Sequence, residues 1–440
     1  MRSLSGIAAV CIAVATIAAC RAAAPPEAPA ADGISRAAFT ASGPVEAIAK
    51  LRVRCDACAW EKPGSEAVVL TLTLDDRAPL SLPIVRNGEA EYAVMLGSVG
   101  AGRHSLAIAA DTELSAASLK GAAAAQWTVT IEQIEPSAGI YEPLSLAPFV
   151  HARPDTVGKF TDVPILMWYE IEPAAKNKRY RYTIIFTNED GGTPVDRLMA
   201  TWGRTTDIEY VYSVEVDAGG QVISEDMQGP DHKILPFAGA RDGRHPLLWV
   251  STSNNMVLDK GETRVRYAPA PLLSNLTDVS REMVMDTNSW TYEVASKEMI
   301  RERKIADDPK PGTAAIVDPR RFAYLEGCGT LGGRARTFAV KVNDKWLATD
   351  RGLAEYRIAR DGCFRGAVPL PANTTINDVR AVRVHAHARK DKPITGPLVF
   401  TRLNTLFGLD DKYRPTPGRL HWTGKAELKP GGAPLELPVP

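Results

Sequence analysis

The chain has 440 residues, which at about 150 residues per domain predicts roughly three domains. Hydrophobic residues make up 45% and charged residues 24% of the sequence, which excludes a chain disordered throughout and a multi-span membrane protein. Its 52 basic residues equal its 52 acidic residues, so the bulk positive charge typical of nucleic-acid-binding proteins is absent and we expect no nucleic-acid partner.

Residues 1–19 have the organisation of a secretory signal peptide. Arg2 supplies a positive charge, residues 7–17 form an apolar core too short to span a bilayer, and small residues precede a cysteine. The run Ile17-Ala18-Ala19-Cys20 resembles the lipobox of bacterial lipoproteins. This resemblance covers the leader only, and it implies that Cys20 is lipidated and anchors the protein to a membrane of the bacterial cell envelope. Arg21, where an aspartate would favour the inner membrane, implies the outer membrane.

Residues 20–45 are rich in alanine and proline and show no hydrophobic periodicity. Such composition is typical of a linker. We therefore expect a lipidated tether that holds the folded body away from the membrane.

Four cysteines remain after the leader and Cys20, and an even number in an oxidising compartment predicts two disulfides. We favour Cys55–Cys58 and Cys328–Cys363, because each pair belongs to one region of the chain. A redox-active CxxC motif would need a helix directly after a strand. The flanks of Cys55 instead predict a strand that enters a turn, and hence a structural disulfide.

Three folded blocks follow the tether. Residues 46–136 contain short segments of period-two alternation separated by turn residues, which predict a β-sandwich module. Residues 144–310 predict a central β-rich domain with a helix near 290–304, and residues 313–440 predict a C-terminal β domain. The expected fold class is therefore mainly β and multi-domain.

The clearest strand of the central block covers residues 207–216. Its alternation predicts that Ile208, Tyr210 and the apolar residues 212, 214 and 216 share one face. Asp207 and Glu209 then lie together on the other face, roughly 7 Å apart by the rise of a strand.

Polar and aromatic side chains concentrate in the central block, at the presumed ends of its strands, where loops usually build functional sites. The candidate catalytic residues are Asp190, Asp207, Glu209 and His151. The candidate substrate-binding residues are Arg153, Trp202, Arg204, His245 and Asn254.

Two kinds of chemistry suit these residues. Paired carboxylates act as acid and base in glycoside hydrolysis, about 5–5.5 Å apart in retaining enzymes and about 6.5–9.5 Å apart in inverting ones. This chemistry needs no cofactor. Alternatively, His151, His232 and His245 with a carboxylate would hold a divalent metal that activates water, or the loop at 188–193 would hold calcium despite lacking EF-hand spacing. A purely structural reading makes the same residues turn caps and ion pairs.

We therefore expect an envelope-anchored lipoprotein that hydrolyses or binds an envelope or extracellular polymer, with carbohydrate favoured. The alternative is a non-catalytic structural or assembly lipoprotein of the outer membrane. An enzyme predicts a cleft in the central block where the carboxylates and at least one histidine converge, namely Asp190, Asp207 and Glu209 with His151, His232 or His245. A binding module instead predicts a flat aromatic platform without paired, perturbed carboxylates.

Overall fold

A computed structural model describes residues 33–121 and 124–440, so the predicted signal peptide and Cys20 lie outside the described residues. The fold is mainly β, as expected. The longest helix in the described ranges has 12 residues, and none of the helices there is long and apolar enough to cross a membrane.

The N-terminal part is a sandwich of two antiparallel sheets. Its strands are β1 Ser35–Ala41, β2 Val45–Cys55, β3 Val69–Leu74, β4 Leu80–Pro83, β5 Gly88–Val99, β6 Gly102–Asp111 and β7 Gln126–Ile134. One sheet has the order β1-β6-β3-β4 and the other β5-β2-β7. In β2 the buried Leu51 and Val53 alternate with exposed arginines, which is the period of a strand with one face in the core.

Strand β1 corrects the predicted extent of the tether, which composition places at 20–45. The strand pairs with β6 from Ser35 to Ala41, and Phe39 and Ala41 are buried in the sandwich. A single aromatic side chain among alanines leaves composition linker-like, yet its burial is enough to add this segment to the sheet as an edge strand.

The central part combines short helices with two sheets. Its helices are α1 Tyr141–Ser145, α2 Val195–Trp202, α3 Met283–Thr287 and α4 Trp290–Arg301. Its strands are β8 Phe149–His151, β9 Pro164–Ala174, β10 Asn177–Phe186, β11 Asp207–Val216, β12 Val222–Gly229, β13 Lys233–Pro236, β14 Arg241–Asp242, β15 His245–Val250, β16 Val257–Leu258, β17 Arg266–Tyr267 and β18 Leu272–Leu273. The expected helix near 290–304 is α4.

The larger central sheet has the order β13-β12-β11-β10-β9-β18. The smaller sheet has the order β14-β15-β8-β17, and β16 pairs with β15 outside that order. One face of the larger sheet joins the smaller sheet and the N-terminal sandwich in a continuous core. Its other face packs against α2, α3 and α4 in a separate core that also includes Phe322 and Phe407.

The C-terminal part is a second sandwich. Its strands are β19 Phe322–Thr330, β20 Ala335–Val342, β21 Lys345–Ala348, β22 Gly362–Pro369, β23 Ala381–His387, β24 Leu398–Phe407, β25 Trp422–Leu428 and β26 Leu435–Pro438. The sheets have the orders β22-β19-β24-β25 and β21-β20-β23-β26. They enclose a hydrophobic core of their own.

Both predicted disulfides are present. Cys55–Cys58 closes the turn after β2, and Cys328–Cys363 joins the paired strands β19 and β22. The CxxC motif therefore belongs to the end of a strand, which confirms the structural interpretation.

A buried ionic network joins the C-terminal sandwich to the central helices. Arg365 on β22 has no exposed side-chain surface, and it donates to both oxygens of Asp286 at 2.8 and 2.7 Å. It also donates to Glu326 at 2.8 Å and to the hydroxyl of Tyr292 at 2.6 Å. Each buried charge therefore meets an opposite charge, which offsets the cost of removing both from water.

The network also acts on Glu326. Burial alone would raise the pKa of this carboxyl, but Arg365 and hydrogen bonds from Ser280 and Asn404 hold its pKa below the ordinary value. Glu326 is therefore ionised and keeps Arg365 paired at neutral pH.

We predict that Arg365→Ala lowers the free energy of unfolding by about 3–5 kcal/mol, because Asp286 and Glu326 lose their buried counter-ion. The measurement is the urea midpoint. The matched control is Arg414→Ala, at an exposed arginine whose side chain makes no ion pair within the described ranges, with an expected change within about 0.5 kcal/mol. Equal midpoints for the two variants would contradict the role given to Arg365.

Candidate active site

The start of β11 is a free sheet edge. Strand β10 pairs with β11 along its whole length, whereas β12 pairs only with the segment from Tyr212 onward. The first five residues of β11 therefore have a neighbouring strand on one side only, and Asp207 and Glu209 lie in this segment.

A β-bulge corrects the predicted faces of β11. Tyr182 pairs with Tyr212 and Thr183 with Tyr210, so Val211 is an extra residue. Beyond the bulge the alternation is reversed, which is why Tyr212 joins the same core as Val211 while Ile208 packs in the core of the helices. Asp207 and Glu209 still share a face, as expected. Register places that face on the side of their partners Phe186 and Ile184.

Three carboxylates, Glu189, Asp207 and Glu209, form what we call the carboxylate cluster. Asp207 and Glu209 are buried, whereas Glu189 in the loop after β10 is half-buried. Burial and repulsion from Asp207 raise the pKa of Glu189 to about 7, and burial and repulsion from Glu209 raise the pKa of Asp207 to about 7. Burial also raises the pKa of Glu209. Protons are therefore shared within the cluster near neutral pH.

Each member of the cluster is held by a hydrogen-bond donor. The side-chain amide of the buried Asn255 donates to Asp207 at 3.0 Å, and that of Gln228 donates to Glu209 at 2.6 Å. The backbone N–H of Thr193 donates to Glu189 at 2.7 Å. These donors fix the carboxylates, which is a requirement for groups that transfer protons.

Two consecutive glycines bring the loop after β10 against the turn between β15 and β16. A Cβ at Gly192 would lie 2.1 Å from Oε1 of Glu189 and 3.2 Å from the Cβ of Asn254, and a Cβ at Gly191 would lie 2.4 Å from Oγ of Ser253. Only glycine permits this approach. The loop borders a cleft of about 190 Å³ that Glu189 and Lys304 line.

Helix α2 delivers two of the candidate binding residues. It ends at Trp202 with Gly203 in the left-handed conformation, where a Cβ would lie 2.7 Å from Cγ of Arg365. The side chain of Arg204 is buried. Its Nε donates to Oε1 of Glu282 at 3.1 Å, and its Nη1 lies 3.7 Å from Oδ1 of Asp207. Its guanidinium carbon lies 5.8 Å from the centre of the Trp202 ring. The structure therefore brings together Asp207, Glu209, Arg204 and Trp202.

Asp190 and Arg153 form an adjoining ionic network. Arg153 donates to Asp162 and to Asp190, each at 2.9 Å, and Thr161 donates to Asp190 at 2.6 Å. Asp190 is therefore engaged as a counter-ion outside the carboxylate cluster, and it lines the same cleft as Glu189. Its expected catalytic role stays a prediction. Arg153 is correspondingly occupied by carboxylates of the chain itself.

Asp162 links this network to the carboxylate cluster, because Asn255 donates to both Asp162 and Asp207. Burial and repulsion from Asp190 raise the pKa of Asp162 to about 8 against the attraction of Arg153. Sequence alone does not single out Asp162, since no spacing relates it to Asp207.

His151 does not join the cluster. Its Nδ1 lies 2.9 Å from the carbonyl oxygen of Thr263, and its ring stacks on Trp249 with centres 4.4 Å apart. Burial lowers its pKa to about 4, so the ring is neutral at pH 7. The adjacent Val150 faces the core, which turns His151 to the other side of the smaller sheet.

His245 lies away from the candidate site, whereas Asn254 lies at its rim. Nε2 of His245 lies 3.0 Å from Glu46 on β2, and Nδ1 lies 2.9 Å from the carbonyl oxygen of Ala147. It belongs to the contact between the N-terminal sandwich and the central part and not to the site. Asn254 lies on the rim beside Gly192, where its Oδ1 accepts from Thr252 at 2.7 Å.

Several site residues were missed by sequence reasoning because they come from distant segments. Glu189 and Gln228 belong to strand ends, whereas Arg281, Glu282 and Arg360 come from the helical segment and the C-terminal sandwich. His232 lies 3.2 Å from Gln228 by their side-chain nitrogens. Asp231 and His232 both have positive φ, of 59° and 57°, so the backbone of the turn after β12 is strained beside Gln228.

Metal ligation has no obvious set of ligands here. Within residues 33–121 and 124–440, no group of three or more His, Cys, Asp or Glu side chains is arranged to hold a metal ion. The three candidate histidines are dispersed, since His151 and His245 have separate partners and His232 lies at the turn after β12.

Comparison with known proteins gives little guidance. No protein-family model matches the chain, and no curated protein matches it significantly. Two solved structures match it at low similarity. "NLPPya in complex with mannosamine" is 10% identical, covers 41% of this chain and 85% of its own, and has a TM-score of 0.23. "NLPPya in complex with glucosamine" is 10% identical, covers 42% and 86%, and has a TM-score of 0.24.

We predict that Asp207→Asn changes how stability depends on pH. The pKa of Asp207 is about 7 in the folded protein and near its ordinary value of 3.8 in the unfolded chain. The folded state therefore holds the proton more tightly, and wild-type stability falls as pH rises from about 4 to about 7. Asparagine removes this loss while keeping an acceptor for Asn255.

The variant should be more stable than the wild type at pH 8 by the order of 1 kcal/mol or more, and the difference should shrink toward pH 4. Urea unfolding between pH 4 and 9 measures it. Glu89→Gln, at an exposed carboxylate, should give a difference that stays constant with pH. A constant difference for Asp207→Asn would refute the raised pKa.

Proposed function

We propose that the protein is a glycan hydrolase of the cell envelope whose active site is the carboxylate cluster. The observation that carries this proposal is the proximity of Glu189, Asp207 and Glu209, which repel one another and are held by fixed donors, together with the open cleft that Glu189 lines. Paired carboxylates with pKa values near neutrality are suited to acid–base chemistry on a glycosidic bond, which carries no charge of its own.

The differing exposure of the three carboxyls supports distinct roles. Glu189 is the most exposed and borders the cleft, so it would donate a proton to the leaving oxygen. Glu209, oriented by Gln228, would accept a proton from the attacking water. Asp207 is 1% exposed and would adjust the proton affinity of both neighbours by its charge. The water oxygen bonds to the sugar carbon as the glycosidic C–O bond breaks, which gives two fragments that each carry a new hydroxyl group. The proton that Glu209 takes from the water then passes to Glu189, and both carboxyls regain their starting states.

A non-catalytic assembly protein is the second candidate. Exposed apolar residues surround the β12–β13 edge of the larger sheet, where Ile223 and Ile234 are 55% and 58% exposed. An exposed edge strand with apolar side chains is suited to partner chains. This function would leave the carboxylate cluster without a chemical role.

We predict that Glu189→Gln and Glu209→Gln each lower turnover by about 100-fold or more, because each removes a proton donor or acceptor. The assay is release of new reducing ends from a panel of envelope and extracellular polysaccharides. The matched control is Glu215→Gln on the same strand, where the carboxylate pairs with Arg179 at 2.8 Å, and turnover should be retained. Turnover should also decline above about pH 7 as Glu189 loses its proton.

If the wild type binds a polysaccharide but releases no reducing ends, the protein is a binding protein and not a hydrolase. The absence of both binding and release across the panel would leave the assembly role as the better explanation.

Envelope anchoring is a separate part of the proposal and rests on the lipobox at Ile17-Ala18-Ala19-Cys20. We predict that Cys20→Ala abolishes incorporation of labelled palmitate and moves the protein out of the membrane fraction, since acyl chains contribute about 0.8 kcal/mol for each buried CH₂. Cys11→Ala, within the leader, is the control and should keep the label. Continued labelling of Cys20→Ala would rule out this anchor.

A further inference from the structure

Three arginines, which we call the basic wall, lie near the carboxylate cluster, where Nη1 of Arg204 is 3.7 Å from Oδ1 of Asp207. Arg204 is buried at the end of α2, Arg281 precedes α3, and Arg360 precedes β22. Trp202 connects two of them, because the guanidinium carbons of Arg204 and Arg360 lie 5.8 and 5.5 Å from the centre of its ring. Cations at these distances are attracted to the indole, which therefore holds both charges in place.

Two members of the basic wall, Arg281 and Arg360, have few anionic partners within 4.0 Å in the part of the chain that the structure describes. Glu282 accepts from Arg204 at 3.1 Å, and Nε of Arg281 is 3.9 Å from the same carboxylate. Across the described chain, Arg281 has no other ion pair and Arg360 has none within 4.0 Å. Neither guanidinium donates a hydrogen bond to a described residue. Arg204 is thus paired with Glu282 and Asp207, whereas among the described residues Arg281 has only the more distant Glu282 and Arg360 has no ion pair.

The guanidinium groups of the basic wall repel one another. Burial and the nearby Arg281 and Arg204 lower the pKa of Arg360, while Glu209 opposes the shift. Repulsion of this kind is relieved when an anion binds between the groups, and a guanidinium can grip a carboxylate, sulfate or phosphate with two N–H bonds.

We propose that Arg281 and Arg360 bind the anionic group of an acidic saccharide, whose sugar ring contacts Trp202 and whose glycosidic bond lies at the carboxylate cluster. This inference rests on the proposed function and adds the substrate class. A neutral glycan would leave both guanidinium groups without a hydrogen-bonded anion. A uronate carboxylate or a sugar sulfate supplies the required oxygens, and the two sources share this recognition chemistry.

The carboxylate cluster is compatible with such a ligand. Its raised pKa values reduce the negative charge that would otherwise repel an approaching anion at neutral pH. The C-terminal sandwich takes part directly, because Arg360 belongs to it while the other members of the site belong to the central part.

The test is calorimetric binding of the full chain to three oligosaccharides of equal length, namely an oligogalacturonate, a heparin fragment and a neutral cello-oligosaccharide. We expect the wild type to prefer one or both acidic ligands, with affinity that falls as salt rises. Arg281→Gln and Arg360→Gln should each weaken acidic binding about tenfold, and Arg360→Lys should recover part of the loss. Arg414→Gln, at an exposed arginine elsewhere, should bind like the wild type.

The outcomes separate this inference from the proposed function. Preference for the neutral ligand, or equal acidic binding by wild type and both glutamine variants, overturns the acidic substrate and leaves hydrolysis intact. Retained acidic binding by Glu209→Gln, together with loss of turnover, supports both. Wild-type binding to none of the three ligands, with no release of reducing ends in the wider panel, overturns both.

Discussion

The burial of Arg365 is the constraint on which the arrangement of the central and C-terminal parts depends. A guanidinium without exposed surface needs anions in its surroundings, and Arg365 pairs with Asp286 on α3 and Glu326 on β19. Gly203 is fitted against the same side chain, since a larger residue would meet its Cγ at 2.7 Å. The end of α2 is therefore fixed relative to β22, and with it the positions of Trp202 and Arg204.

The site follows from that arrangement. The larger central sheet provides the carboxylates at a strand end where no neighbour completes the sheet. Arg204, after the end of α2, and Arg360, before the start of β22, both lie over the ring of Trp202. Carboxylates of the sheet and arginines of the central and C-terminal parts then lie close together, as Arg204 does 3.7 Å from Asp207. Ligand sites often lie at contacts between domains, where each domain supplies some of the side chains.

Sequence predicted those features that depend on neighbouring residues. Both disulfides, the helix at 290–301, and the common face of Asp207 and Glu209 follow from short-range spacing. The bulge at Val211 could not be foreseen, because it depends on the register against Tyr182 and Thr183 on another strand. His151 and His245, which the sequence places among the candidate site residues, lie outside the carboxylate cluster for a related reason. Their polar neighbours along the chain suggested a site, whereas their hydrogen-bond partners are backbone carbonyls and, for His245, Glu46.

The continuous core beneath the N-terminal sandwich and the central sheets has an evolutionary consequence. Side chains from both parts interdigitate there, so a change of volume in one part is felt by the other. The two parts are therefore expected to diverge in concert and to resist exchange as separate modules. The C-terminal sandwich encloses a core of its own, but its Phe322 and Phe407 also pack in the core of the helices, so a replacement would need to keep that packing as well as an arginine in the position of Arg365.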